Sequence, residues 1–295
     1  MAETPQTQPY PSDQAITPTT PLSLTPSEQQ YLQQKKRIHM CVDPAWLPLE
    51  QINDAGQHEG IVADYINLLK SRTALNIVLY PTIKWSDSVQ AAKDRQCDIF
   101  SAVAVTPSRR EYMRFSPPYL MLEVGIFGHT HKPMIKDVET IFSSKVGIVS
   151  GYATEEIIRN RYPNAVLQSI KTPQDGLLKL VNGELDYFID FIVPSSYYLK
   201  EMSLSDIKVL GKTSLKLPLS IASRSDEPLL ADILTKAQMA ISQHEVEVIT
   251  RHWMERKSQH AWNGVAIVII VVMVSLFITL FIFWQRMSVR HVQEK

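Results

Sequence analysis

The sequence is short of the groups on which most chemistry depends. Two cysteines, Cys41 and Cys97, occur in 295 residues, too few for a disulfide scaffold. Each sits in or beside an apolar, strand-like run, so the expectation is two buried free thiols, with the compartment left open. Neither sign of charge is in excess. Thirty basic residues balance thirty acidic ones, which removes the broad field that nucleic acid or anionic lipid would attract. The eight histidines make no H-x-x-x-H or H-E-x-x-H pairing, so no two of them share a helix face as metal ligands. P-loop, G-x-G-x-x-G and G-x-S-x-G motifs are missing, and no carboxylate pair stands out by spacing. Enzyme activity, a cofactor and a resident metal are therefore not expected within these residues. No secretory signal is visible either, since Met1 is followed by Ala-Glu-Thr-Pro; the chain reads as starting near the mature end of an exported protein.

What the chain does contain is one long apolar run. Residues 264–284 read GVAIVIIVVMVSLFITLFIFW, uncharged and long enough to cross a bilayer, with Trp262 and Trp284 at its edges. Arg251, Arg256 and Lys257 precede it and Arg286, Arg290 and Lys295 follow, so loop charge does not orient it. Residues 1–26, rich in Pro, Thr, Gln and Ser, read as a disordered leader, and 27–37 as a lead-in helix capped by Thr25 or Ser27. From Arg37 onward strands and helices alternate. Strand-like runs fall at 37–42, 76–80, 97–105, 145–149, 166–170, 186–192 and 217–223. Helical spacing falls at 61–76, 85–95, 154–162, 173–182, 228–242 and 245–255. That alternation predicts an α/β fold with an open, mostly parallel sheet covered on both faces, built as two similar halves with a cleft between them.

Ligands of such sheets bind outside the carboxyl ends of the strands. Arg109, just past the strand ending at Val105, is the candidate anion clamp, because a guanidinium grips a carboxylate with two parallel charge-assisted bonds. Thr106 offers a hydroxyl three residues earlier. The turn Ser150-Gly151-Tyr152-Ala153 opens a helix, with free backbone N–H groups and the positive end of its dipole. Trp46, Trp85, Tyr119 and Tyr152 fall in or near strand-end loops as pocket walls. Asp43 and Asp190, at strand ends, could receive a cationic group or could equally be turn and capping residues.

Taken in order, these motifs resemble the bacterial extracellular solute-binding proteins of the amino-acid-binding type (family 3). The resemblance is carried by Asp43-Pro-x-Trp-x-Pro, Gly60, Trp85, Cys97-Asp98, Thr106-x-x-Arg109 and Phe115-Ser-Pro-Pro-Tyr119. It continues through Val146-Gly-Ile-Val-Ser-Gly-Tyr152, Tyr162-Pro163 and Gly183-Glu-Leu-Asp186, and covers about residues 24–258. It implies a two-lobed periplasmic-binding-protein (flytrap) fold, here with a C-terminal transmembrane helix. Lobe 1 would be 38–125 plus 219–257 and lobe 2 126–218, with hinge segments near 122–128 and 217–222. It also implies ligand contacts from Arg109, Asp43, Trp46, Trp85, Ala104, Thr106, Tyr119, Gly151, Tyr152 and Asp190. The chain departs from the amino-acid-binding pattern at Ala102 and Ala104, at Glu50, and at Phe191, where the family's ammonium-binding acid would stand one residue after Asp190. A small molecule with a carboxylate is the implied ligand, its amino group left open. The implied role is the periplasmic sensor of an inner-membrane, single-pass receptor, dimeric through that receptor, with 285–295 starting a cytoplasmic segment. A histidine kinase or diguanylate cyclase would follow. The alternative is a membrane-tethered component of an ABC transporter.

Overall fold

The computed structural model describes residues 22–255 and 271–275. The predicted leader up to residue 21 lies outside the described residues. So do the predicted span and cytoplasmic segment at 264–295, apart from 271–275, which are helical. Among the described residues no helix is long and apolar enough to cross a membrane. Residues 1–249 form one compact unit and 250–295 a second.

Helix α1 (Pro26–Lys35) starts at a capping box: Glu28 N–H donates to the Thr25 hydroxyl, and Thr25 N–H to the Glu28 carboxylate. The helix is almost wholly polar, with Glu28 its one buried residue, so apolar packing contributes little to its docking. Charge holds it instead. Lys236 pairs with Glu28 at 2.7 Å, Lys35 with Asp98 at 2.7 Å and with Glu227 at 2.8 Å, and the Tyr31 hydroxyl donates to Glu227.

Strand β1 (Ile38–Cys41) leads into a small antiparallel sheet, β2 (Ala45–Trp46), β3 (Glu50–Ile52) and β4 (His58–Glu59). Helix α2 (Ile61–Thr73) follows, burying Ile61, Val62, Tyr65, Ile66, Leu68 and Leu69 on one stripe. Gly60 at its N-cap has φ +126°, and a Cβ there would stand 2.4 Å from the Leu49 carbonyl oxygen. Only glycine allows that crossing of helix start over loop. Then come β5 (Ile77–Leu79), α3 (Trp85–Lys93), β6 (Ile99–Ala104), the short α4 (Pro107–Arg110), β7 (Met113–Phe115) and β8 (Leu120–His129). The second run is β9 (Val146–Val149), α5 (Ala153–Arg161), β10 (Leu167–Ile170), α6 (Pro173–Val181), β11 (Tyr187–Phe191) and α7 (Ile192–Glu201). The long β12 (Ile207–Arg224) and α8 (Pro228–Met239) complete it.

The main sheet has the order β10-β9-β11-β8-β12-β6-β1-β5, with β7 paired to β12. Its ends are parallel, as strand–helix alternation requires, while β8 and β12 in the middle run antiparallel to each other and to their outer neighbours. The two parallel ends are the two α/β lobes. The β8–β12 ribbon passes through both, its register slipping between Lys212 and Lys216. Those 18 residues of β12 are more than the seven-residue run at 217–223 predicted from sequence. Residues 207–216 read as mixed polar and apolar because the strand there alternates, burying Ile207 and Leu210 while exposing Lys212, Ser214 and Lys216.

The cysteine expectation is corrected. Cys41 and Cys97 are disulfide-bonded, with Cα atoms 5.7 Å apart. Cys41 ends β1 and Cys97 lies two residues before β6, the strand that pairs with β1 in parallel. Closing a 56-residue loop of the unfolded chain stabilises the fold by about 4 kcal/mol in the chain-entropy account.

Candidate functional site

Three strand ends meet between the lobes. From the first, the β1–β2 turn brings Asp43 and Trp46, with Asp43 Oδ1 accepting from the Ala45 N–H at 3.0 Å. From the second, β6 ends in Ala104, after which Thr106 caps α4 by accepting from the Arg109 N–H and Pro107 occupies its first turn. One turn of helix then aims Arg109 back at the strand end. From the third, β9 ends at Val149 and the chain turns through Gly151, φ +77°, into α5 at Ala153.

A cavity lies at this junction. It is lined by Asp43, Trp46, Trp85, Ala104, Arg109 and Tyr152 among the sequence candidates, together with Ala102, Val103, Ala153, Phe191 and Leu219. The space open to the centre of a water molecule is about 20 Å³, room for roughly one water. Aromatic rings take up the rest. Trp46 meets Phe191 edge-on at 5.3 Å and Tyr152 at 5.8 Å, and Trp85 meets Tyr152 at 6.3 Å.

The lobes are joined across it by specific hydrogen bonds. The Tyr152 hydroxyl donates to Asp43 Oδ2 at 2.7 Å, and Trp85 Nε1 donates to the Gly151 carbonyl at 2.8 Å. The Leu47 N–H donates to the Tyr198 hydroxyl at 2.9 Å. On the rim, the Ser108 hydroxyl and N–H both donate to the Glu156 carboxylate, at 2.6 and 3.2 Å. Arg109, 5 % exposed, stacks on the Trp85 ring at 5.3 Å and donates to Ala104 O at 2.7 Å and Gly151 O at 2.9 Å. Burial pushes its guanidinium down from the ordinary arginine value.

Asp43 and Asp190 are the unusual members. Both are buried, at 4 % and 0 % exposure, and neither has an ion-pair partner among the described residues. Burial pushes each carboxyl up to about 7, against the pull of Tyr152 and the Ala45 N–H on Asp43 and of the Ser195 hydroxyl on Asp190. Asp190 Oδ2 accepts from Ser195 at 2.6 Å, whereas its Oδ1 finds no partner among the described residues; nor does the buried Trp46 Nε1.

The remaining sequence candidates stand apart from the cavity wall. Thr106 is buried but spent on its cap. Tyr119 is not at the cleft: it stacks on Tyr65 at 4.1 Å and donates to Ser101 O at 2.9 Å, so its ring belongs to the core beneath. Gly151 contributes its carbonyl rather than free N–H groups, its own N–H donating to Glu155. Asp190 lies behind Phe191 in β11, where strand alternation sends successive side chains to opposite faces. Reasoning from sequence missed the supporting residues Glu50, Tyr198 and Ser195. Glu50 is fully buried and accepts from the Asp43 N–H at 2.9 Å and the Ser101 hydroxyl at 2.5 Å, with His58 at 3.0 Å. A glutamate at the start of a three-residue strand gives no periodic signal; only the His58 spacing across β3–β4 could have pointed to it.

This geometry agrees with a family-level match. The model of the bacterial extracellular solute-binding proteins, family 3, matches residues 38–256. The chain belongs to that family. Within it, similarity extends to Virulence sensor protein BvgS of Bordetella pertussis, 23 % identical over 229 residues, 77 % of this chain and 18 % of BvgS. It extends also to Sensor protein EvgS of Escherichia coli K12, 24 % identical over 243 residues, 80 % of this chain and 20 % of EvgS. The chain thus spans about a fifth of the length of these curated relatives. The crystal structure of the B. pertussis BvgS periplasmic VFT2 domain superposes with a TM-score of 0.70 at 22 % identity, covering 78 % of this chain and 99 % of that one. That likeness concerns the fold, a two-lobed α/β solute-binding architecture.

Proposed function

We propose that the solute-binding fold here is the periplasmic sensing region of a membrane receptor, binding a small polar solute between its lobes. Lobe 1 is 38–125 plus 219–257, lobe 2 is 126–218, and 264–284 is a single span in the inner membrane. Closure passes to that span through the last helix, in a receptor that works as a dimer. Similarity to two proteins named as sensors supports the receptor role. The Cys41–Cys97 bond supports an oxidising compartment.

The observation that carries the ligand reading is the polar lining of the cavity between the lobes. Trp46 Nε1 is a donor without an acceptor, while Arg109 commits donors to two carbonyls that water or a ligand could replace. In the ligand complex the solute's carboxylate takes the place of Gly151 O on Arg109, and a donor or cationic group meets Asp43. Entry requires the lobes to part, because the closed space holds about one water. A solute that touches both lobes only when they close shifts the population toward closure by its differential affinity.

Thermal denaturation of the full chain in detergent, against amino acids and other carboxylate metabolites, tests this. A ligand present at a hundredfold excess over its Kd stabilises by about 2.7 kcal/mol, and Arg109→Ala abolishes the shift. A stabilisation that survives Arg109→Ala unchanged overturns the clamp. Absence of a signalling output domain from the complete gene overturns the receptor role.

A further inference from the structure

Strands β1 and β6 run in parallel, so the turns after them build the cleft and the residues before them share the opposite edge of the sheet. At that edge lies a second, wider opening. It is lined by Lys35, Lys36, Arg37, Arg95 and Arg224, together with Asp98. The space open to the centre of a water molecule is about 610 Å³ there, against about 20 Å³ in the cleft. That is the size of a small-molecule site. Three parts of the fold supply the cations: the α1–β1 junction, the turn from α3 to β6, and the end of β12. The acids nearby are already engaged. Asp98 meets Lys35 at 2.7 Å and Arg224 at 3.4 Å, and accepts from the His39 N–H at 2.7 Å. Glu227 meets Lys35 at 2.8 Å and Arg224 at 3.4 Å, while Asp226 meets Arg224 at 2.8 Å and Arg95 at 3.4 Å. Lys36 and Arg37, both exposed, make no ion pair among the described residues. The surplus of positive charge therefore sits on two adjacent residues of one junction.

The backbone adds an independent observation. Lys36 closes α1 at φ +56°, and Arg95 follows α3 at φ +61°. Helix ends in the left-handed region favour glycine, and a long side chain there is strained. Complementing the helix dipole does not explain the two cations, because Lys35 and Lys93 already stand in the last turns of α1 and α3. Charge kept at two strained positions around one opening points to a ligand that needs it. We propose that this basal opening binds a multivalent oxyanion of the phosphate type, held by Lys36 and Arg37 on one side and Arg95 on the other. A phosphate group offers several acceptor oxygens and up to two charges, enough to bridge ammonium and guanidinium donors from separate elements. Bound there, it offsets the repulsion among the cations and ties the end of α1 to the α3–β6 turn. The group comes either from a free phosphate compound or from an anionic lipid headgroup. This site lies about the length of β6 away from the cleft, roughly 20 Å, and it does not rest on the solute reading.

The test follows thermal denaturation of the full chain in phosphatidylcholine nanodiscs while inorganic phosphate or pyrophosphate is titrated at constant ionic strength. A second arm omits both and replaces one quarter of the lipid with phosphatidylglycerol. The Tm is expected to rise in the first arm for a free phosphate compound and in the second for a lipid headgroup. Joint replacement Lys36→Gln with Arg37→Gln should weaken the apparent affinity about tenfold, two surface charge contacts being lost. Lys171→Gln with Lys200→Gln, exposed cations of the second lobe, should leave it unchanged. Lys36→Gly separates binding from folding: glycine suits the left-handed backbone, so the unliganded Tm should hold or rise while the anion response falls. A Tm that moves in neither arm overturns the proposal. So does a response that persists undiminished in both Lys36→Gly and the double variant, since the anion then acts elsewhere, Arg109 included.

Discussion

Asp226, at the base of the first lobe, and Asp43, in its cleft, are moved in opposite directions by their surroundings. At the base, Asp98 meets Lys35 at 2.7 Å and Arg224 at 3.4 Å, and Arg224 grips Asp226 at 2.8 Å. The Arg224 guanidinium holds the Asp226 carboxyl down to about 2. Asp43 in the cleft, and Asp190 behind Phe191 in the second lobe, have only neutral hydroxyl and backbone donors, and burial lifts both to about 7. The first arrangement is stable with every group charged, and it fixes α1 and α8 to the sheet. The second is stable only when charge is removed by a proton or offset by a ligand. The base pairs its carboxylates; the cleft leaves Asp43 without a cation among the described residues.

The largest effect should come from the frame of the first lobe. Replacing both cysteines, Cys41→Ser with Cys97→Ser, is expected to cost about 4 kcal/mol in urea unfolding at any pH between 5 and 8. Asp190→Asn should instead stabilise by roughly 2–4 kcal/mol at pH 8 and by almost nothing at pH 4. The sign follows from the raised carboxyl: the folded form binds the proton more tightly than the unfolded chain, so its stability falls as pH climbs from about 4 to about 7. At the base, Asp98→Ala takes one partner each from Lys35 and Arg224, which keep Glu227 and Asp226, and removes the acceptor of the His39 N–H, costing about 2–3 kcal/mol. Asp190→Asn behaving like Asp98→Ala would erase the contrast. Tyr152→Phe should weaken lobe closure by about 1 kcal/mol through its bond to Asp43. Ser108→Ala, on the solvent-facing rim, should weaken it by about 0.5 kcal/mol. Both are read from the distance between spin labels on Ala55→Cys and Asn164→Cys, exposed positions in the two lobes.

How far the sequence foretold this depends on what each residue answers to. The strand–helix alternation was legible because parallel strands bury both faces and read as apolar runs, as at Ile99–Ala104 and Val146–Val149. So was the convergence of Asp43, Trp46, Trp85, Arg109 and Tyr152, since strand ends of one sheet share an edge. The long reach of β12, the small sheet at Ala45–Glu59 and helix α7 were not, being short, amphipathic or polar pieces defined by partners far along the chain. Tyr119 misled because an aromatic after Pro-Pro looks like a loop residue, whereas pairing with Leu219 carries it into the core. The disulfide was hidden for the same reason: the two cysteines stand 56 residues apart, and only the neighbouring of β1 and β6 in the sheet brings them together. The unpaired state of Asp43 was the least legible of all. An aspartate at a strand end reads alike whether a lysine waits across the cleft or, as here, a tyrosine hydroxyl does.

The contrast can be measured directly by following aspartate carboxyl carbons by NMR through a pH titration of the full chain, with Asp43→Asn and Asp190→Asn for assignment. The account predicts that buried Asp43 and Asp190 titrate with midpoints near 7 and Asp226 near 2. Midpoints near 4 for Asp43 and Asp190 in the closed protein would contradict it.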